Sequence, residues 1–340
     1  MRALFVGLGS IGQRHLRNLK FLMKEDVDIY ALRRKDAKNL IIDSGKAYEV
    51  KSIDEFYGIQ SIFDIKEAFK KKPDMVFITN PSSLHVNVAL VAAKNKCNLF
   101  IEKPLSNSYE NIAELQKIIK KENIHATVAY QSKYNPGHKI IKDIIKSNQF
   151  GEVISANFKW GTFLPEHHPY EDYKKSYASR KDLGGGVVLG LSHEIDIVRD
   201  FFGIPTNIEA KEIKEESLNL EVEDNVHIRF FYSAQNSNFD INLYLSYAQP
   251  VEERFFEIEF SEALIINNLI TNEISIKNKK NGVLKTLDFE RIERDRLFII
   301  ELKDFIKNIS NKDRATRSFD DGVDTLKICL KILEELKKNK

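Results

Sequence analysis

The chain has 340 residues, enough for two domains with separate cores, and an ordinary composition of 42% hydrophobic and 30% charged residues. With 52 basic against 50 acidic residues its net charge is +2, which provides no global field toward nucleic acid or a membrane surface. Two cysteines, Cys97 and Cys329, offer neither CxxC spacing nor a disulfide framework, and no apolar run reaches the roughly 18 residues of a membrane helix, so a cytoplasmic protein is expected.

The opening MRALFVGLGS is too short and glycine-rich for a signal-peptide core. Within it ALFVG reads as a buried strand, followed by IGQRHLRNLKFLMK with helical spacing of Ile11, Leu16, Leu19 and Leu22. VDIYAL, PDMVFIT and NLFIE are further strands, and HATVAY adds one near residue 130. SLHVNVALVAAKN and SYENIAELQKIIKKEN are helices, the second striped by Ile112, Leu115, Ile118 and Ile119. Strands separated by helices of this length predict a parallel sheet covered on both faces, an α/β arrangement. Then the rhythm changes. After the helix GHKIIKDIIKSN, the segment GEVISANFKW places Ile154, Ala156, Phe158 and Trp160 on one face with period two. A glycine-rich stretch and long helix take 184–202. NVHIRFFYS, NFDINLYLSY, RFFEIEFSE, ALIINN and EISIKN predict an antiparallel, half-buried sheet, and helices over about 292–309 and 319–338 close the chain. The domain boundary is expected at residue 122, giving domains 1–122 and 123–340.

The first strand runs into Gly7-Leu8-Gly9-Ser10-Ile11-Gly12, the G-x-G-x-x-G spacing. The glycines serve a tight turn, backbone approach to a pyrophosphate and close helix-to-strand packing, while the amides of the helix that starts at Ser10 and Ile11 face the phosphates. The alternative is a packing turn that binds nothing. The second strand exits at Arg33 and Arg34, where NAD would look for a carboxylate and a 2′-phosphate would find guanidiniums, so NADP is preferred over NAD. Elsewhere, Arg14 and His15 are expected to be exposed on the first helix. The run KKK at 70–72 ends a helix and is not read as a nucleic-acid patch.

Taken alone, Glu102-Lys103-Pro104 is an ordinary loop tripeptide. Here it ends a strand about 90 residues after the glycine motif. With ITNPSSLH, AYQSKYNP and LGGGVVLGLSHEIDIVRDFFG in the same order, the chain resembles the glucose–fructose oxidoreductase, inositol dehydrogenase and rhizopine-catabolism (Gfo/Idh/MocA) family over most of its length. The resemblance implies a Rossmann dinucleotide-binding domain, an α+β domain with a large open, mostly antiparallel sheet, and a homodimer or homotetramer packed through that sheet. It places Lys103 beside the nicotinamide and the substrate hydroxyl. Thr79, Asn80, His85, Glu102 and Gln131 would lie about the cofactor, and Tyr134 near the substrate. A lysine amine near 10.4 in water falls when desolvated or set near a cationic ring, which suits proton exchange at an alcohol (~10.4). His193 is the second acid–base candidate, with Asp196 three residues on expected to orient its imidazole.

Two departures from the family pattern stand out. The acidic residue often four before this histidine is Leu189 here, with Gly190 beside it, and the tryptophan–arginine pair often found before the triple glycine is absent. The segment FLPEHHPYEDYKKSY, with His167, His168, Tyr170, Tyr173 and Tyr177, reads as a carbohydrate-binding lid. It resembles a branch linked with surface-glycan and nonulosonate biosynthesis. Its adjacent histidines have no HExxH or CxxC context, and no metal is expected. The expected function is NAD(P)-dependent hydride transfer at a hydroxyl or keto carbon of a sugar or nucleotide sugar. A non-catalytic dinucleotide-binding regulator on the same fold is the alternative, and an elimination enzyme using transient oxidation is a third reading.

Overall fold

The early apolar runs lie side by side as one parallel sheet in the computed structural model, which describes residues 1–34, 39–43, 46–213, 218–233, 238–310 and 317–338. In chain order these elements begin with β1 (Arg2–Val6), α1 (Ser10–Met23) and β2 (Asp28–Leu32). β3 (Asn39–Asp43) and β4 (Lys46–Glu49) form a separate two-stranded ribbon. Then come α2 (Ile53–Tyr57), β5 (Gln60–Ile62), α3 (Ile65–Lys70), β6 (Met75–Ile78), α4 (His85–Lys94), β7 (Asn98–Glu102), α5 (Ile112–Lys121) and β8 (Ala126–Ala129). The order across the sheet is β5-β2-β1-β6-β7-β8, with parallel pairing throughout. Every residue of β6, β7 and β8 is buried, which is why these strands read as continuous apolar runs rather than alternating ones. β8 completes the sheet beyond residue 122, so we propose the junction in the turn Gln131–Tyr134 that follows it.

A second sheet of eight strands follows α6 (Pro136–Ser147), which Asn135 caps through its side chain. Its members are β9 (Val153–Phe163), then, after α7 (Val187–Gly190) and α8 (Ser192–Phe202), β10 (Asn207–Glu212), β11 (Asn225–Ser233), β12 (Asn238–Ser246), β13 (Ala248–Phe260), β14 (Ala263–Asn268), β15 (Glu273–Asn278) and β16 (Leu284–Thr286). They run in the order β10-β11-β12-β9-β13-β14-β15-β16, antiparallel except for the β12–β9 pair. Ala156, Phe158 and Trp160 face the core as their period predicts, whereas Ile154, near the start of β9, is 48% exposed. The helix expected over 184–202 is broken between α7 and α8. Gly184 and Gly186 precede the break with φ of 83° and 107°, a region closed to most side chains.

The closing helices correct the domain picture. α9 (Arg294–Ser310) returns to the first sheet, where Phe305 packs 5.2 Å from Phe100 and 5.9 Å from Phe77. α10 (Arg317–Lys338) packs against β8, α8 and β10, bridging the two sheets. The C-terminal part of the chain thus also covers the first sheet. Among the described residues no helix is long and apolar enough to cross a membrane, and Cys97 and Cys329 are buried free thiols.

Candidate active site

Strand order reverses between β1 and β6, and in an open parallel sheet a ligand crevice lies beyond the carboxyl ends of the strands at such a point. Gly7 sits there with φ of 93°, and a Cβ on it would lie 3.0 Å from the Asn80 nitrogen. A Cβ on Gly12 would come within 2.5 Å of the Gly7 carbonyl and 2.8 Å of Thr79 Oγ1, which itself donates to that carbonyl at 2.7 Å. Gly9 differs: a Cβ there would meet nothing within 4 Å, so protein packing does not demand the glycine. α1 begins at Ser10 and Ile11 with no side-chain cap and no acidic residue in its first turn. The Asn80 Oδ1 atom is buried without a hydrogen-bond partner. Open space at Gly9, an uncapped helix start and an orphaned polar atom together fit a dinucleotide pyrophosphate.

Arg33 does not present itself to this crevice. Its side chain is turned inward, donating to Asp54 Oδ1 at 3.1 Å and Ser61 Oγ at 3.0 Å, and so ties β2 to α2 and β5. Arg34 is exposed at the same strand end.

At the end of β7 the Lys103–Pro104 peptide is cis. Glu102 is buried and holds both neighbours: one oxygen bonds His15 Nε2 at 2.7 Å, the other accepts the Lys103 backbone N–H at 3.1 Å. His15, expected at the surface, is fully buried, with Phe100 and Phe298 at 4.8 and 5.7 Å. The helical stripe that carries Leu16 and Leu19 turns it inward. Arg14 beside it stacks 5.0 Å over Phe298. Burial alone would raise the Glu102 carboxyl, but the His15 contact and the charges of Lys103 and His85 hold it below its ordinary value. His85 bridges the Asn80 and Pro104 carbonyls at 2.7 and 3.0 Å, stapling the ends of β6 and β7 together.

The Lys103 ammonium donates to the Gly190 carbonyl at 2.6 Å. That carbonyl ends α7, and the break after it leaves the oxygen available. A Cβ on Gly190 would collide with the Tyr247 hydroxyl at 1.7 Å, so the close approach of Tyr247 depends on glycine. A backbone carbonyl thus receives the lysine. Burial lowers the Lys103 amine to about 8; Arg294 and Arg254 push the same way, opposed by Glu102 and Glu194.

His193, in the first turn of α8, is 3% exposed, with the Tyr130 ring edge-on at 5.5 Å and Trp160 at 6.1 Å. Burial, reinforced by Lys103, Arg254 and Arg294, lowers it well below 6.5, so the imidazole is neutral. Asp196 does not orient it. Its carboxylate is taken by Thr325 at 2.7 Å, Arg199 at 3.2 Å and Lys133 at 3.5 Å, and His193 Nδ1 has no hydrogen-bond partner. Tyr134 likewise turns away from the centre, donating to Asp304 of α9 at 2.9 Å. Gln131 is buried at the start of the same turn.

The segment 164–183 folds as a series of short turns over the site. His167 bonds Thr162 at 2.8 Å, and His168 bonds the Tyr170 hydroxyl at 2.9 Å, itself within reach of Ser10 at the glycine loop. Tyr177 is 43% exposed, yet its hydroxyl end is desolvated near Glu102 and Glu171 and pushed up to about 12. Among the described residues no group of three or more His, Cys, Asp or Glu side chains could hold a metal.

Arg254 and Glu194 belong to the centre without having been singled out from the sequence. Arg254 donates to Glu194 at 2.6 Å and lies 4.0 Å over the Trp160 ring. Glu194 stood next to His193 and was legible as a neighbour. Arg254 faces Trp160 only through the β13–β9 pairing, which no local pattern announces.

A sequence profile described as oxidoreductase family, NAD-binding Rossmann fold, matches residues 1–130, and one for the GFO/IDH/MocA C-terminal domain matches residues 138–266. Myo-inositol 2-dehydrogenase of Thermotoga maritima is 21% identical over 331 residues, 95% of this chain and 92% of that protein. The 2,7-anhydro-N-acetylneuraminate hydratase of Escherichia coli is 28% identical over 139 residues, 41% of this chain and 36% of that protein. It is one of several curated relatives of which the matched stretch spans only 36% to 52% of their length. Among solved structures, a levoglucosan dehydrogenase complexed with NADH and levoglucosan superposes with a TM-score of 0.80 at 19% identity, covering 100% of this chain and 98% of that one. UDP-N-acetylglucosamine 3-dehydrogenase of Acidithiobacillus ferrooxidans gives 0.75 at 15% identity, covering 99% and 98%. At such identities the superpositions speak for the fold. The two profiles, laid end to end over most of the sequence, go further: the chain belongs to the Gfo/Idh/MocA family of oxidoreductases, with an NAD(P)-binding Rossmann domain at its start.

Proposed function

We propose that the chain is an NAD(P)-dependent oxidoreductase that passes hydride between nicotinamide and a hydroxyl or keto carbon of a sugar or nucleotide sugar. The observation that carries this reading is Lys103: an amine lowered to about 8, set beside the dinucleotide crevice and hydrogen-bonded to Gly190. Gly7, Gly9, Ser10, Ile11 and Gly12, with Thr79 and Asn80 opposite, would hold the dinucleotide. When bound, its nicotinamide accepts or donates the hydride. The protein's part is to move the proton. Near neutral pH Lys103 is an ammonium and His193 a neutral imidazole, so the centre offers one proton donor and one acceptor. Lys103 protonates the carbonyl oxygen during reduction, and in oxidation the alcohol proton goes to an unprotonated Lys103 or to His193. Trp160 and Tyr130 wall the imidazole, and the 164–183 segment keeps water out.

Arg34 supports NADP as the preferred cofactor, since Arg33 is already engaged. The relatives acting on an anhydro-N-acetylneuraminate and on UDP-N-acetylglucosamine support an amino-sugar or nucleotide-sugar substrate, in surface-polysaccharide or nonulosonate synthesis. The uncovered face of the second sheet, polar at Asn157, Arg229 and Asn242, supports sheet-to-sheet oligomers, and buried free thiols suit the cytoplasm. Leu189 in place of an acid favours the alternative of a non-catalytic regulator, whereas the retained Lys103, buried and lowered to about 8, argues against it. Titration with NADPH and NADH, followed by a panel of sugars and nucleotide sugars read at the nicotinamide absorbance band, decides between them. Turnover of at least one sugar is expected. Dinucleotide binding with no turnover across the panel selects the regulator.

A further inference from the structure

Several cations surround His193 and Arg294, and most carry a carboxylate partner. Lys133 lies 3.5 Å from Asp196, Arg14 lies 3.5 Å from Asp295, and Arg254 bonds Glu194 at 2.6 Å. Arg294, the first residue of α9, is different: among the described residues its guanidinium has neither a hydrogen bond nor an ion pair. It lines a groove of about 400 Å³ together with Arg254, Gln131, Asn267 and Asn272. The Nη2 atom of Arg254 is buried without a hydrogen-bond partner. Although Arg294 is exposed as a residue, its guanidinium end is crowded, and burial with the like charges of Arg254 and Arg14 lowers its pKa, opposed by Asp295 and Glu252. Two guanidiniums facing one groove repel each other until an anion enters between them.

We infer that Arg254 and Arg294 clamp an anionic group carried by the sugar substrate, a diphosphate or a carboxylate, in the groove that Arg254 shares with the His193 centre. This rests on the reading of the centre as a sugar oxidoreductase. The planar forks of the two arginines match either group in a bidentate manner, which a lysine would not. The groove lies within the volume range of small-ligand sites, with amides at Asn267 and Asn272 for hydroxyls and Phe256 and Leu269 for an apolar ring face. It is built by β13, β14, α9 and the 131–135 turn rather than by the glycine loop, which separates it from the cofactor phosphates. A neutral monosaccharide would leave the Arg294 guanidinium and the Nη2 atom of Arg254 without an anionic partner.

The test uses the protein saturated with NADPH or NADH, whichever binds more tightly, and calorimetric titration with UDP, with glucuronate and with galactose as the neutral control. At least one of the two anions is expected to bind more tightly than galactose. Arg294→Gln should weaken that anion about tenfold or more, the loss of a charge-assisted fork, while affinity for the same dinucleotide stays within about twofold. Arg294→Lys should fall between, because it keeps the charge and loses the fork. UDP as the preferred probe identifies a diphosphate, glucuronate a carboxylate. Anion affinity unchanged in Arg294→Gln, or galactose binding as well as both anions, overturns the clamp alone. A parallel loss of dinucleotide affinity also overturns it, by assigning the guanidinium to the cofactor. Failure of the wild-type protein to bind either NADPH or NADH overturns the oxidoreductase reading and the clamp with it.

Discussion

Lys103 and His193 sit in one desolvated centre, and the same burial drives them to opposite protonation states near neutral pH. Both values fall, but the lysine falls only to about 8 while the imidazole goes well below 6.5. The consequence is directional. Where Lys103 is the acceptor, alcohol oxidation needs the free amine, so its kcat/KM should rise as pH passes about 8, and carbonyl reduction should fall over the same interval. Profiles run in both directions check this; a controlling inflection near 6.5 with none near 8 would transfer the proton to a histidine of ordinary basicity. A second expectation concerns the cofactor. Arg34→Asp should shift preference from NADPH toward NADH by about tenfold, measured as the ratio of dissociation constants, whereas Arg33→Ala should mainly destabilise the fold, because Arg33 ties Asp54 to Ser61. The sequence named Arg33, Asp196 and Tyr134 for ligand roles because their neighbours in the chain suggested them. Their actual partners, Asp54, Thr325 and Asp304, lie 21, 129 and 170 residues away, and no local pattern reports such pairs.

Elements bring the centre together through contacts between their ends. α1 reaches β7 through the His15–Glu102 bond, so the helix that opens the dinucleotide cradle also fixes the residue before Lys103. His15 was readable in principle: it lies four residues after Ile11 and four before Leu19, on the inward stripe, and only its polarity argued for the surface. His15→Ala should cost about 2–4 kcal/mol, combining a cavity beside Phe100 with an unpaired buried carboxylate. The pH dependence follows from the depressed Glu102 value. A depressed carboxyl contributes stability above its ordinary 4.5 and loses it as pH falls through the lower folded value, so the gap between wild type and variant should narrow on acidification. Denaturant curves at several pH values test it; a gap that widens in acid contradicts the pairing. The break between α7 and α8 was not legible as a break, since glycine is tolerated in many helices. The Tyr247 hydroxyl, which occupies the space a Cβ on Gly190 would need, explains the glycine there and lies far along the chain.

At the scale of the molecule, the change from alternating strands and helices to consecutive strands was plain in the sequence, and both sheets followed from it. The division into two contiguous pieces was not. α9 departs from the C-terminal half to cover the first sheet, and its own amphipathic pattern states that one face is buried without saying against what. Phe305 is 1% exposed in that contact. Phe305→Ala should therefore lower overall stability by about 3–5 kcal/mol and loosen the nucleotide domain, seen as weakened NAD(P)H binding in a chain whose glycine loop is intact. Unfolding in which the first sheet is unaffected by the change would detach α9 from it.

The central claim places the Lys103 amine at the reacting carbon, and Lys103→Met tests it most directly, because methionine fills similar space without a proton to exchange. NAD(P)H affinity is expected to stay within about twofold while turnover falls by about two to four orders of magnitude, the loss of an acid–base group. Turnover equal to wild type, with the cofactor bound normally, would contradict the account.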